Sequence, residues 1–91
     1  MKDPAADLGI CISLASAVTD IPLPSDVTFI GEVGLAGEVR PAGRTLMRIR
    51  EASRLGFRRA VISRRTPKEN YPIETLKVPS LKDAVDIFLR R

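Results

Sequence analysis

The hydrophobic and polar positions divide the chain into a small set of elements. Asp3-Pro4 opens the first, because Asp is a favoured helix N-cap and Pro is pre-shaped for the first helical position. The helix predicted from there to about Val18 has Leu8, Cys11, Ile12, Ala15 and Val18 on one side and Ile10, Leu14 and Ala17 on the other. A helix apolar all round has to be covered on both sides, which places it at the centre of the molecule and makes Cys11 a core residue. Two prolines in Ile21-Pro22-Leu23-Pro24 interrupt regular structure, and Val27-Thr28-Phe29-Ile30 then reads as a strand. Gly31, Gly34 and Gly37 punctuate the next stretch, predicting a tight turn at Gly34-Leu35-Ala36-Gly37 and a return strand through Glu38-Val39-Arg40 that Pro41 ends.

The period returns to that of a helix from about Gly43 to Leu55, with Leu46, Ile49, Ala52 and Ser53 on one face and Gly56 as the stop. A short buried strand centres on Ala60-Val61-Ile62, a polar loop covers Arg64 to Asn70, and Thr75 to Val78 is the last strand candidate. Ser80 caps a final helix, with Asp83 in the reciprocal position of a capping box. Leu81, Ala84, Val85, Phe88 and Leu89 make that helix amphipathic. Three helices alternating with about four short strands predict an α/β (α+β layered) structure.

Composition narrows the chemistry. The 91 residues, 44% hydrophobic and 29% charged, are those of one small globular domain with a modest core. With no His and one Cys, a His-dependent triad, a His-containing metal site, a Cys-based zinc site and a disulfide scaffold are all excluded within the chain. No apolar run approaches the roughly 20 residues of a membrane span, and Met-Lys-Asp-Pro lacks the apolar stretch of a signal peptide, so the expected location is the cytoplasm, without a membrane partner.

Charge is unevenly placed. From Arg40 to Arg65 there are nine Arg, no Lys and one acid, Glu51, a net +8 in a chain whose total is +4. Such asymmetry points to a basic face for an anionic partner, most simply nucleic acid; a solvated helix face followed by a basic loop is the plainer alternative. The candidate phosphate contacts are Arg44, Arg48, Arg58, Arg59, Arg64 and Arg65, although six side chains so spread are not expected to reach one duplex. Glu32 and Glu38 are read as solvated or paired with Arg40, and the glycines make no phosphate loop because no Gly-Lys-Ser/Thr comes after them.

Three segments carry a resemblance: Asp3-Pro4-Ala5-Ala6-Asp7-Leu8, Gly31 to Pro41 with its Gly-Glu-Val-Gly-Leu run, and Ala52-Ser53-Arg54-Leu55-Gly56-Phe57-Arg58-Arg59-Ala60. They resemble the C-terminal Lon-protease-like domain of the bacterial RadA (Sms) DNA repair family, and the order of elements is similar to part of the proteolytic domain of Lon and to ComM-like magnesium-chelatase-related proteins. The match covers residues 3–91. It implies a partial Lon-protease-like domain lacking its N-terminal strands, with Met1 and Lys2 as an artificial start. The family's four-Cys zinc motif and RecA-like ATPase fall outside this sequence, so no cofactor is expected in the chain.

Lon-type peptidases use a Ser nucleophile activated by a Lys of lowered pKa. By the register of the resemblance the Ser position falls on Ala5 and the Lys position on Leu46. Both halves of the dyad are missing, and no other Ser lies in an evident constellation with a Lys. What the resemblance implies is therefore a noncatalytic module of a DNA-dependent ATPase in recombinational repair and branch migration. The expected partners are DNA, single-stranded or branched, and further copies of the chain in a hexameric ring. A pure subunit-interaction module is the alternative, and a residual peptidase is disfavoured. If the register holds, Ala5 at the start of the first helix should face Leu46 on the second.

Overall fold

The computed structural model describes residues 3–90, so the expectation for Met1 and Lys2 lies outside the described residues. A 3-10 turn, Pro4–Ala6, leads into α1, Asp7–Thr19. Asp3 Oδ1 accepts from the Ala5 N–H at 3.1 Å, so the predicted cap holds the turn that precedes the helix. Next come β1 (Val27–Phe29), β2 (Glu32–Val33), β3 (Val39–Arg40), α2 (Thr45–Arg54), β4 (Arg59–Ser63), β5 (Glu74–Val78) and α3 (Leu81–Phe88). β1, β4 and β5 form a parallel sheet in the order β1-β4-β5, while β2 and β3 pair as a separate antiparallel hairpin. The α/β expectation holds, with five strands rather than four. The strand expected over Val27 to Ile30 ends at Phe29, and at Gly31 the chain turns to the start of α1, the Gly31 N–H donating to Ala5 O at 3.0 Å.

β4 is the central element. Ala60, Val61 and Ile62 are at most 1% exposed, as a strand buried on both faces requires. Alternation sends Val61 into one cluster with Leu8 and Ile12 of α1, Ala84 of α3 and Leu89 just beyond it, and sends Ala60 and Ile62 into another with Ala5, Ala42 and Ile49 of α2. The sheet is thus sandwiched, α1 and α3 on one side and α2 on the other.

This corrects the placement of the first helix. Leu8 and Ile12 are fully buried, but Ile10, Leu14 and Val18 are 57%, 63% and 87% exposed, and Cys11 is only partly buried. All-round apolarity states a demand for cover, and among the described residues only one side of α1 is covered. At α3, Ser80 Oγ accepts from the Asp83 N–H at 3.2 Å as predicted, while the Asp83 carboxylate accepts from the Ser80 hydroxyl at 2.6 Å.

Candidate nucleic-acid interface

α2 is the crossover between the hairpin and β4, and its direction decides where the arginines lie. It begins after β3, which is tied to the C-terminal end of β4 by Ser63 Oγ donating to Val39 O at 2.8 Å. It ends where the Phe57 N–H reaches Ala52 O at 3.0 Å, just before β4 starts. The helix therefore runs back along the strands. Arg44 stands at the end of the sheet from which Arg64 and Arg65 emerge, whereas Arg54, Arg58 and Arg59 stand at the other. The five residues of β4 separate the two ends by about 13 Å at the usual strand rise.

Four of the nine arginines are held in ion pairs. Arg48 makes a forked contact to Asp3, Nη1 to Oδ2 at 3.0 Å and Nη2 to Oδ1 at 3.3 Å, and its Nε donates to Gly43 O at 2.9 Å. Arg40 binds Glu38 at 2.7 Å, Arg54 binds Glu51 at 2.9 Å, and Arg59 reaches Asp26 at 3.5 Å. The expected pairing of Glu38 with Arg40 is present. Arg44, Arg50, Arg58, Arg64 and Arg65 are exposed and have no ion pair among the described residues. Of the six candidate contacts, Arg48 and Arg59 are thus engaged within the chain, Arg58 stands beside Arg59 at one end, and Arg44, Arg64 and Arg65 stand at the other. Arg50, which helical spacing sets four residues before Arg54 but which is not one of the six candidates, is a further exposed cation without an ion pair among the described residues.

The Arg64-Arg65 turn is built on Ser63. This fully buried hydroxyl donates to Val39 O and accepts from the Arg65 N–H at 3.1 Å, while the Arg64 N–H donates to Val78 O at 2.9 Å. The two guanidinium groups therefore leave from a fixed backbone. Beside them lies a cavity of about 210 Å³ lined by Glu38, Val39, Ser63, Arg64, Arg65 and Pro79. It opens at the C-terminal edge of a parallel sheet, where open α/β folds place ligands. The sequence assigned Ser63 no more than a structural place; a Ser closing an apolar strand just ahead of Arg-Arg is the signal that was available.

Two carboxylates are shifted by their partners. The hydrogen bond from Arg48, aided by the Ala5 N–H, holds the Asp3 carboxyl below its ordinary value, and the hydrogen bond from Arg40 does the same for Glu38. In each case the charged carboxylate is the form that the guanidinium favours. A depressed folded-state pKa contributes stability that is present above the ordinary carboxylate value and is lost as pH falls through the folded one. Arg48→Ala is expected to move the Asp3 titration upward in a carboxyl NMR series, and an unmoved Asp3 would show that the fork does not persist in solution.

The two positions onto which the resemblance lays the dyad, Ala5 and Leu46, carry neither a hydroxyl nor an amine. Ala5 is buried in the cluster that contains Ile49 of α2, and Leu46, half-buried, lies one turn ahead of Ile49 on the same helix. The start of the chain and α2 do meet, through this cluster and through Asp3 and Arg48. Among the described residues no group of His, Cys, Asp and Glu is arranged to hold a metal ion.

Comparison with known proteins supplies the relationship. Residues 2–66 match the family model described as subunit ChlI of Mg-chelatase. The chain is 39% identical over 90 residues to the DNA repair protein RadA of Escherichia coli K12, a match covering 97% of this chain and 20% of that protein. It is 50% identical over 62 residues to RadA of Bacillus subtilis 168, covering 68% and 14% respectively. To RadA of Aquifex aeolicus VF5 it is 33% identical over 87 residues, covering 96% and 20%. The chain spans about a fifth of the length of these relatives, or less.

Proposed function

This chain belongs to the ChlI family of domains in the form that the RadA DNA repair proteins carry, and on that premise we propose that it is a noncatalytic module that contacts DNA phosphates and assembles with its own copies. The observation that supports DNA contact best is that Arg44, Arg64 and Arg65 are exposed, have no ion pair among the described residues, and follow or precede elements that meet at the C-terminal edge of the parallel sheet. Glu38, which lines the cavity beside Arg64 and Arg65, is already engaged by Arg40, and Glu51, which shares a hollow with Arg44, by Arg54. Guanidinium groups fork to phosphate oxygens, and a rigid turn lowers the entropy lost when they do.

Absence of peptidase chemistry is part of the same reading, because Ala5 has no hydroxyl and Leu46 no amine. No helix among the described residues is long and apolar enough to cross a membrane. Ring formation and any coupling to an ATPase are what the resemblance implies and enter as part of the proposal.

Fluorescence anisotropy with duplex, single-stranded and branched DNA over a salt series tests it. Replacing Arg44, Arg64 and Arg65 together by Ala is expected to weaken duplex binding at least about tenfold and to reduce the slope of log affinity against log salt by about 2 to 3, at roughly 0.9 per phosphate. Arg54→Ala with Arg59→Ala, which removes paired cations, is expected to change the slope little. Equal loss from both sets would point to diffuse charge rather than a site. If the triple variant alters only self-association, the arginines meet acids of a neighbouring subunit and the DNA assignment is wrong.

A further inference from the structure

The segment between β4 and β5 folds over one face of the sheet. Register places Thr75 beside Ala60 and Lys77 beside Ile62, so both point to the side that α2 covers. Tyr71 and Ile73 pack against the cluster of Ala60 and Ile62 on that same side. A hollow of about 470 Å³, within the size range of small-ligand sites, opens there between Lys68, Glu69, Tyr71, Thr75 and Lys77.

The Tyr71 ring is fixed before anything binds. It is half-buried with the apolar cluster behind it, and its hydroxyl donates to Pro67 O at 3.2 Å. Burial, and after it the charge of Glu69, push that hydroxyl above its ordinary value, so the donor is retained at neutral pH. Lys77 Nζ donates to Thr66 O at 3.0 Å, which ties the wall of the hollow to the residue directly after Arg64 and Arg65. That bond leaves the Lys77 ammonium with donors to spare. Lys68 is exposed and has no ion pair among the described residues.

These groups select the occupant. A held aromatic ring between ammonium groups, reached from a pair of arginines, supplies what an unpaired nucleotide needs: a flat surface for the base and cations for the phosphates on either side. Glu69 narrows the choice further. A bare anion in the hollow is disfavoured by that carboxylate, whereas a base offers N–H groups that a carboxylate accepts. A base inside a duplex is stacked on its neighbours and has to leave the stack to enter. We propose that the hollow at Tyr71 is a nucleotide subsite, taking one unpaired base of the strand whose phosphates Arg64 and Arg65 hold, with Lys68 and Lys77 on the adjoining phosphates. The inference rests on the DNA reading of the proposed function and names the part of the DNA that this loop takes.

NMR of the full chain decides the matter, because the Tyr71 ring signals are those of its single tyrosine. An oligodeoxycytidine of about 8 nucleotides is expected to move them upfield, as a stacked base does, and a blunt duplex is expected to leave them in place. In anisotropy, Tyr71→Leu, which keeps an apolar side chain against the cluster, is expected to weaken single-strand binding about fivefold or more and to change duplex binding less than about twofold. Tyr71→Phe keeps the ring and should bind the single strand nearly as the parent does. Lys68→Gln should lower the single-strand salt slope by about 0.7. Tyr71 signals that stay in place while the single strand binds overturn this inference alone, as does equal loss of duplex and single-strand affinity in Tyr71→Leu. Deoxycytidine monophosphate that moves the ring signals at the same concentration as the oligonucleotide also overturns it, since the hollow would then serve free nucleotides. If neither form of DNA binds, the DNA reading fails and this inference fails with it.

Discussion

Ile62→Ala is expected to destabilise the chain by about 2–5 kcal/mol, measured as a shift in the urea midpoint. The side chain has no exposure, sits on the strand that both helical layers share, and packs in the cluster containing Ile30 and Ile49. Truncation removes three carbons from a position where collapse would require α2 to move, and α2 is fixed at both ends through the loops that join it to β3 and β4. A domain of this length has a total stability of about 5–14 kcal/mol, so the loss is a large share of it. Ile62→Val should cost about 0.5–1.5 kcal/mol, and Leu35→Ala, at a fully exposed turn position, close to nothing. An Ile62→Ala effect below about 1 kcal/mol would mean that the α2 layer is not packed on β4 as described.

The elements legible in the sequence are those whose pattern is local. Ala60-Val61-Ile62 between polar flanks announces a strand buried on both faces, and the i, i+3, i+4 spacing of α3 announces its single apolar stripe. α1 shows the limit of such reasoning, since its apolar circumference states how much surface needs covering and not which element, or which second molecule, covers it. The arginine segment shows the same limit for charge. Nine cations are visible at once, and the pairing of Arg54 with Glu51 is three residues away, within reach of helical spacing. The partner of Arg48 is 45 residues distant and that of Arg59 is 33, so no local pattern could separate engaged from free cations. That α2 runs antiparallel to β4 is what sorts the rest, and it is a property of the fold rather than of spacing. The Ala5 and Leu46 assignments rest on resemblance alone; what the structure adds is that the segments bearing them adjoin.

Gly31 and Gly37 look equivalent as punctuation, and substitution is expected to distinguish them sharply. Gly37 has a φ of +82°, so Gly37→Ala is expected to cost about 1 kcal/mol through backbone strain, with open space around the new methyl. Gly43 has neither positive φ nor a neighbour within 4 Å, and Gly43→Ala should be neutral or stabilising by up to about 1 kcal/mol. Gly31 is constrained by contact instead. Its N–H donates to Ala5 O, its carbonyl accepts from the Leu8 N–H, and a Cβ would stand 3.0 Å from Val39 Cγ1 and 3.4 Å from Arg40 O. Val39 is 2% exposed and Arg40 O is backbone, so neither can step aside cheaply. Gly31→Ala is therefore expected to cost about 1–3 kcal/mol, and Gly31→Val at least the upper part of that range. The consequence extends to the proposed interface, because Val39 O is the acceptor that Ser63 uses to hold the turn bearing Arg64 and Arg65. Displacing the hairpin should loosen that turn, so Gly31→Val should also weaken DNA binding without removing any charge. Urea unfolding of the Gly31, Gly37 and Gly43 variants, followed by anisotropy on the Gly31 variants that remain folded, checks both steps. A Gly31→Val chain as stable as its parent would mean that the hairpin does not sit against the start of α1.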